Sequence, residues 1–170
     1  MKALDRMFDT AGWVAAAFLI ATLAMVLASI VGRLVPTLTL AGADAYAGYC
    51  MAAAAFLALP VTLRRGEHIR VTLVLQRLPA SARRRVEIAV HVVGLFLAAA
   101  LAWFSVRLVW QSRAFYDIST GLDATPLWIP QLGMAAGTLL LTLALLVQLA
   151  EHVRGHVPTP DAGDEPARIE

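Results

Sequence analysis

Four apolar runs, each long enough to cross a bilayer, limit what this chain can fold into. They cover about residues 11–33, 41–63, 84–111 and 127–150. A helix needs about 20 mostly apolar residues to traverse the hydrocarbon, where no water is available to an unpaired backbone group. The pattern predicts an all-α integral membrane domain over residues 1–157, with four transmembrane helices. The second run is the least apolar, being alanine-rich with Asp44 and Pro60, yet no other segment can return the chain across the membrane. Composition agrees: 15% of residues are charged and 59% are hydrophobic, whereas soluble domains carry about a quarter charged residues. Lys2 and Arg6 resemble the positive end of a secretory signal, but the run behind them is too long and no small-x-small cleavage site follows it. It is read as a retained helix.

The charges are unevenly placed. With four spans, the N-terminus, the central connection and the C-terminus share one side. That side carries Lys2, Arg6, Arg64, Arg65, Arg70, Arg77, Arg83, Arg84, Arg85, Arg154 and Arg168, against Arg33, Arg107 and Arg113 on the other. The positive-inside rule places both termini in the cytoplasm. The net charge of +2 does not suggest nucleic acid, because the arginines flank apolar spans and no binding motif or interleaved aromatic accompanies them. Cys50 is the single cysteine, which excludes an internal disulfide, a C-x-x-C pair and a cysteine zinc cluster.

Between the basic clusters lies IRVTLVLQRL, too short to span. Val71, Val74, Leu75 and Leu78 fall on one helical stripe, while Ile69, Val71, Leu73 and Leu75 alternate as in a strand. An open strand edge cannot be satisfied beside hydrocarbon, so the reading is a short amphipathic helix over about residues 67–78, lying in the cytoplasmic interface with its arginines on anionic phospholipids. Pro79 ends it and Ser81 is placed to cap the third span, whose first turn carries Arg83, Arg84 and Arg85.

Arg64, Arg65, Gly66, His68 and Ile69, followed by an amphipathic phrase closing on Leu78 and Pro79, resemble the small membrane subunit of TRAP transporters, the tripartite ATP-independent periplasmic systems of bacteria. TPLWIPQLGMAAG, from Thr125 to Gly137, resembles that family's entry to its fourth span. Thr72 stands where the family often carries an Asp. The resemblance implies a multi-pass inner-membrane protein, without catalysis or cofactor of its own. Its implied partners are a large elevator-type membrane subunit, here on a separate chain, and a periplasmic solute-binding protein. Together they would take up organic carboxylates, driven by sodium. The small subunit would be a fixed scaffold that helps dock the receptor.

The residues themselves suit a scaffold. Ionisable groups at the bilayer midplane are costly and usually functional, and the span centres carry none. Small residues that allow close helix packing recur at four-residue spacing: Ala24, Ala28 and Gly32; Gly48 and Ala52; Gly133 and Gly137. They pack either the four helices together or the large subunit, with Gly133 and Gly137 the foremost candidates for the latter. Glu87 and His91, at i and i+4, can meet on one helix face. On the outer side, Trp103, Arg107, Trp110, Asp117, Asp123 and Trp128 offer an extracytoplasmic surface, the tryptophans as an interfacial belt and Arg107 placed to lie over an indole. The tail over residues 158–170 is Pro-rich and acidic and is expected to be disordered.

Two other classes compete. A small haem protein would ligate iron through His91 and a second histidine. A stand-alone homo-oligomeric carrier would need ionisable groups at the centres of its own spans, and the sequence places none there. No Ser/His/Asp, phosphate-loop or metal-ligand constellation supports an enzyme.

Overall fold

The computed structural model describes residues 2–35, 37, 40–64, 79–121 and 123–153. Four helices dominate them: α1 (Lys2–Leu34), α2 (Ala43–Arg64), α3 (Ala80–Ala114) and α4 (Trp128–Val153). All four are long and apolar enough to span a membrane, and the described residues contain no strand beyond one isolated bridge between Ile118 and Pro126. The predicted interfacial helix over about residues 67–78 and the tail over residues 158–170 lie outside the described residues.

Helix α1 starts well before the apolar run at residue 11. Its first turns are held because Phe8, Ala11 and Ala15 form a buried stripe, at the i, i+3, i+7 spacing of one helix face. At 33 residues α1 is about 50 Å long, and α3, at 35 residues, is slightly longer. Both exceed the roughly 30 Å hydrocarbon, so they tilt or project beyond it. Ser81 does not cap α3. The helix begins one residue earlier, and its N-cap is Pro79 in extended conformation with no side-chain cap bond. The Ala82 amide instead donates to the Pro79 carbonyl at 2.9 Å.

The helices stand in an open row. α1 lies against α2, α2 against α4, and α4 against α3. In the most apolar stretch of each helix, 28% is buried for α2 and α4, but 6% for α1 and 17% for α3. The inner pair is therefore α2 and α4, with α1 and α3 at the edges.

The inner seam is a backbone contact. A Cβ at Gly133 would come within 2.8 Å of the Ala53 Cβ, and one at Gly137 would overlap the carbonyl group of Phe56. Pro60 explains the second approach. A proline has no N–H, so the carbonyl four residues earlier loses its helical donor; here that is Phe56. In lipid such a group needs another neighbour, and Gly137 lets the α4 backbone close over it. The outer seam between α1 and α2 is softer: a Cβ at Gly12 would meet only the Val61 side chain, at 3.2 Å.

Candidate functional site: the two ends of the row

One end of the row gathers the N-terminus of α1, the C-terminus of α2, the start of α3 and the end of α4. Arg64 closes this terminus end. It pairs with Asp5 and lies 4.9 Å from the Phe8 ring centroid, pinning the first turns of α1 to α2. Gln148 Nε2 donates to the Leu63 carbonyl at 3.1 Å, tying α4 to α2. His91 and His152 bring α3 to α4, with ring centroids 4.4 Å apart and planes inclined by 38°.

Each imidazole is anchored by Nδ1–H to the carbonyl one turn back. His91 donates to Glu87 O at 2.7 Å, and His152 donates to Gln148 O at 2.9 Å. His91 thus meets the backbone of Glu87. The two rings meet directly at a tilt, with no room between them for an iron, so they are not arranged as axial ligands on opposite sides of one haem.

The middle of the row is chemically quiet. Its hydroxyls satisfy themselves on their own helices: Thr22 on Phe18 O, Ser105 on Leu101 O, Thr138 on Met134 O and Ala135 O, and Thr142 on Thr138 O. No group of three or more His, Cys, Asp or Glu that could hold a metal occurs among the described residues.

The loop end is dense with polar contacts. Asp44, in the first turn of α2, accepts from Ser29 at 2.5 Å and pairs with Arg33 at 3.3 Å, joining α2 to α1. Asp123 organises the connection between α3 and α4. Its carboxylate accepts from Ser119 at 2.8 Å, from Tyr49 of α2 at 3.1 Å and from the Thr125 amide at 3.4 Å. Thr125 in turn donates to the Tyr46 hydroxyl at 3.0 Å. Desolvation raises the Asp123 pKa, but the hydrogen bonds from Ser119, Thr125 and Tyr49 outweigh it, and the carboxyl lies below its ordinary value.

Gly42, with φ of +80°, turns the chain beside this aspartate, where a Cβ would come within 2.6 Å of Asp123 Cβ. Only glycine meets both demands. The two connections enclose a cleft of about 370 Å³, bordered by Ser29, Arg33, Gly42, Asp44 and Asp123.

Helix α3 ends in a left-handed residue that is not glycine. Tyr116 has φ of 56° at the position where glycine is customary, while the Asp117 amide donates to Ser112 O at 3.0 Å. Tyr116 and the neighbouring Phe115 are 86% and 74% exposed, so neither side chain is held by packing.

The predicted residues fall into three groups. Arg64 and Asp123 are built into contacts within the chain, as are Gly133 and Gly137, which the chain's own α2 takes up. Trp103, Arg107, Trp110 and Asp117 are exposed, as are Ala24, Gly48 and Ala52, and nothing lies within 4 Å of a Cβ placed on Gly48. Ala28 is half-buried and Gly32 buried on α1. The arginine found over an indole is Arg113, 5.4 Å from the Trp128 centroid, rather than Arg107. Arg65, Gly66, His68, Ile69 and Arg70 lie outside the described residues; Arg83, Arg84 and Arg85 sit in the first turns of α3. Sequence reasoning missed the contacts of Ser29, Tyr46, Tyr49, Ser119 and Thr125; it placed Tyr116 on the outer loop but not in a left-handed conformation. Only the Asp-x-Thr phrase carried a local signal, because an aspartate readily bonds the amide two residues on.

A family profile matches residues 22–155: "Tripartite ATP-independent periplasmic transporters, DctQ component". The chain belongs to this DctQ family. It is therefore a non-catalytic, multi-pass component of a TRAP transporter. A relative from Oleidesulfovibrio alaskensis (strain ATCC BAA-1058 / DSM 17464 / G20), the "Isethionate TRAP transporter permease protein DctMQ", is 33% identical over 99 residues. That match covers 58% of this chain and 15% of the relative, so the DctQ-family chain corresponds to a small portion of a much longer permease.

Proposed function

We propose that this chain is the fixed small subunit of a TRAP permease in a bacterial inner membrane. It supports a large elevator-type membrane component that carries sodium and an organic carboxylate, and it presents its loop end to a periplasmic solute-binding protein. The observation that carries this reading is the inert middle of the row. Its hydroxyls bond their own helices and its centre holds no ionisable side chain, so the described residues offer no polar path for a solute or ion. What it does have is exposed apolar surface on both edge helices, including Leu19, Ile20 and Leu23 of α1 and Phe96 and Leu97 of α3.

The terminus end faces the cytoplasm in this reading, because it carries most of the basic residues, which also meet anionic phospholipids there. Gly133 and Gly137 are already occupied within the chain. Gly48 and Ala52, which remain open on the inner helix α2, with Ala24 on α1, are the small-residue surface left for the large subunit. At the other end, the strained and exposed Tyr116, with Phe115, is the foremost contact for the receptor.

Co-purification tests the scaffold role. Gly48→Leu should lower recovery of a large membrane partner while the subunit itself stays folded. Liposomes containing this chain alone should move no carboxylate, and transport from them would sink the reading. A single cysteine at Asp117 in a Cys50→Ser background should react with impermeant maleimide from outside the cell.

A further inference from the structure

A groove of about 820 Å³ opens between α3 and α4 in the half of the row nearest the loop end, walled by Val106, Val109, Leu132, Ala136 and Leu139 with Arg113 at its mouth. Neither the scaffold contact nor the docking surface uses it. We propose that it seats one acyl chain of a glycerophospholipid whose phosphate rests on Arg113.

Depth is the first argument. Trp128, on which Arg113 stacks, and Leu139, the lining residue farthest from the loop end, stand eleven residues apart on α4, or about 16 Å. That is about half of the 30 Å hydrocarbon, the reach of one leaflet. The groove does not continue below. In the other half of the row, Leu145 Cδ2 stands 3.9 Å from a Cβ placed on Gly94, and the His91 and His152 rings are in contact. A helix crossing the membrane would need a seat along the whole of α3 and α4, whereas an acyl chain entering from one surface needs only this half.

Charge is the second. Arg113 is exposed at the mouth, stacked on Trp128, and no carboxylate forms an ion pair with it among the described residues. Tryptophan at a membrane interface marks headgroup level, and a guanidinium there offers the forked donors that suit a phosphate. The walls below it are aliphatic, so the mouth takes the charged part of the ligand and the groove takes the tail.

The test uses the full-length chain in its native complex, in nanodiscs of phosphatidylethanolamine and phosphatidylglycerol. A small share of the phosphatidylglycerol carries a diazirine near the end of one acyl chain. Photolabel is expected on the α4 peptide that includes Leu132 to Leu139. Ala136→Phe fills the groove at an exposed position and should lower that label at least fivefold, with label elsewhere on the chain unchanged. Arg113→Ala should lower it about fivefold, the effect of one cation at a membrane surface, and Arg113→Lys, which keeps the charge but not the fork, should restore only part of it. Label that is spread over all exposed helix faces, or that is indifferent to Ala136→Phe, overturns the proposal. So does a crosslink from position 136 to a partner helix.

Discussion

Along the α2–α4 seam the contacts are between backbones, with Gly137 against the Phe56 carbonyl and Gly133 against Ala53. At the loop end they are between polar side chains, where Asp123, Tyr49, Thr125 and Tyr46 bridge α2 to the connection between α3 and α4. The seam contains no charge and no residue in a costly conformation. The loop end contains three carboxylates, Asp44, Asp117 and Asp123, with two non-glycine residues at positive φ and exposed aromatics among its described residues. In lipid there is little hydrophobic force between helices, so cohesion comes from close approach and satisfied backbone groups. Where the chain meets water, hydrogen bonds can set geometry, and some local cost can be borne for the sake of a contact made elsewhere. If the loop end docks a receptor as proposed, cohesion and recognition fall to different parts of one small subunit.

The largest expected effect comes from the seam. Gly137→Ala inserts a methyl into the Phe56 carbonyl, which is backbone and cannot rotate away. Overpacking of this kind costs about 3 kcal/mol, towards the upper end of the usual range, and Gly137→Leu should prevent assembly of α4 onto α2. Thermal unfolding in detergent, followed by thiol reactivity of Cys50, measures it. A tolerated Gly137→Leu would show that the seam is not the cohesive element.

The four spans were legible because their signal is hydropathy over long windows, which does not depend on partners. The row order was not, since nothing in a run of alanines says which neighbour it faces. Gly133 and Gly137 could be recognised as close-packing residues, but their partner could not, because the decisive feature is the carbonyl freed by Pro60 on another helix. The early start of α1 was hidden for a similar reason. Its first turns are polar, and only the burial of Phe8 and the pairing of Asp5 with Arg64 hold them as helix. At the loop end, Asp123 was visible as a polar surface residue but not as the hub of contacts that span 74 residues of sequence to reach Tyr49. Arg107 and Arg113 were both near tryptophans in sequence, and only the turn between α3 and α4 decides that Arg113 meets Trp128.

The loop end predicts a dependence on pH that the seam lacks. The folded-state pKa of Asp123 lies below the ordinary aspartate value of 3.8. Its ionised form therefore contributes stability that is fully present above about pH 4 and is lost as pH falls through the folded value. Asp123→Asn should lower the melting temperature at pH 7, and the gap from wild type should narrow towards pH 3. A gap that is constant across that range would mean the carboxylate charge is not what organises the loop.

The edge of the row should be more forgiving than its middle. A Cβ at Gly12 meets only the branched end of Val61, which can shift by a few tenths of an ångström. Gly12→Ala should therefore cost about 1 kcal/mol or less, well below Gly137→Ala, in the same unfolding assay. Equal losses at both positions would erase the distinction between inner and outer seams.

Tyr116 is the finest test of the division, because it separates stability from recognition at one residue. A left-handed conformation costs a non-glycine residue about 1–2 kcal/mol, and glycine gives back part of that through its greater freedom in the unfolded chain. Tyr116→Gly should therefore raise stability by about 0.5–1 kcal/mol, since the exposed ring makes no packing contact to lose. If the loop end docks a periplasmic receptor, the same variant should weaken that docking, measured by receptor binding to the reconstituted permease. A gain in stability with unchanged receptor binding would leave the strain at Tyr116 without a purpose and would move the docking surface elsewhere on the loop end.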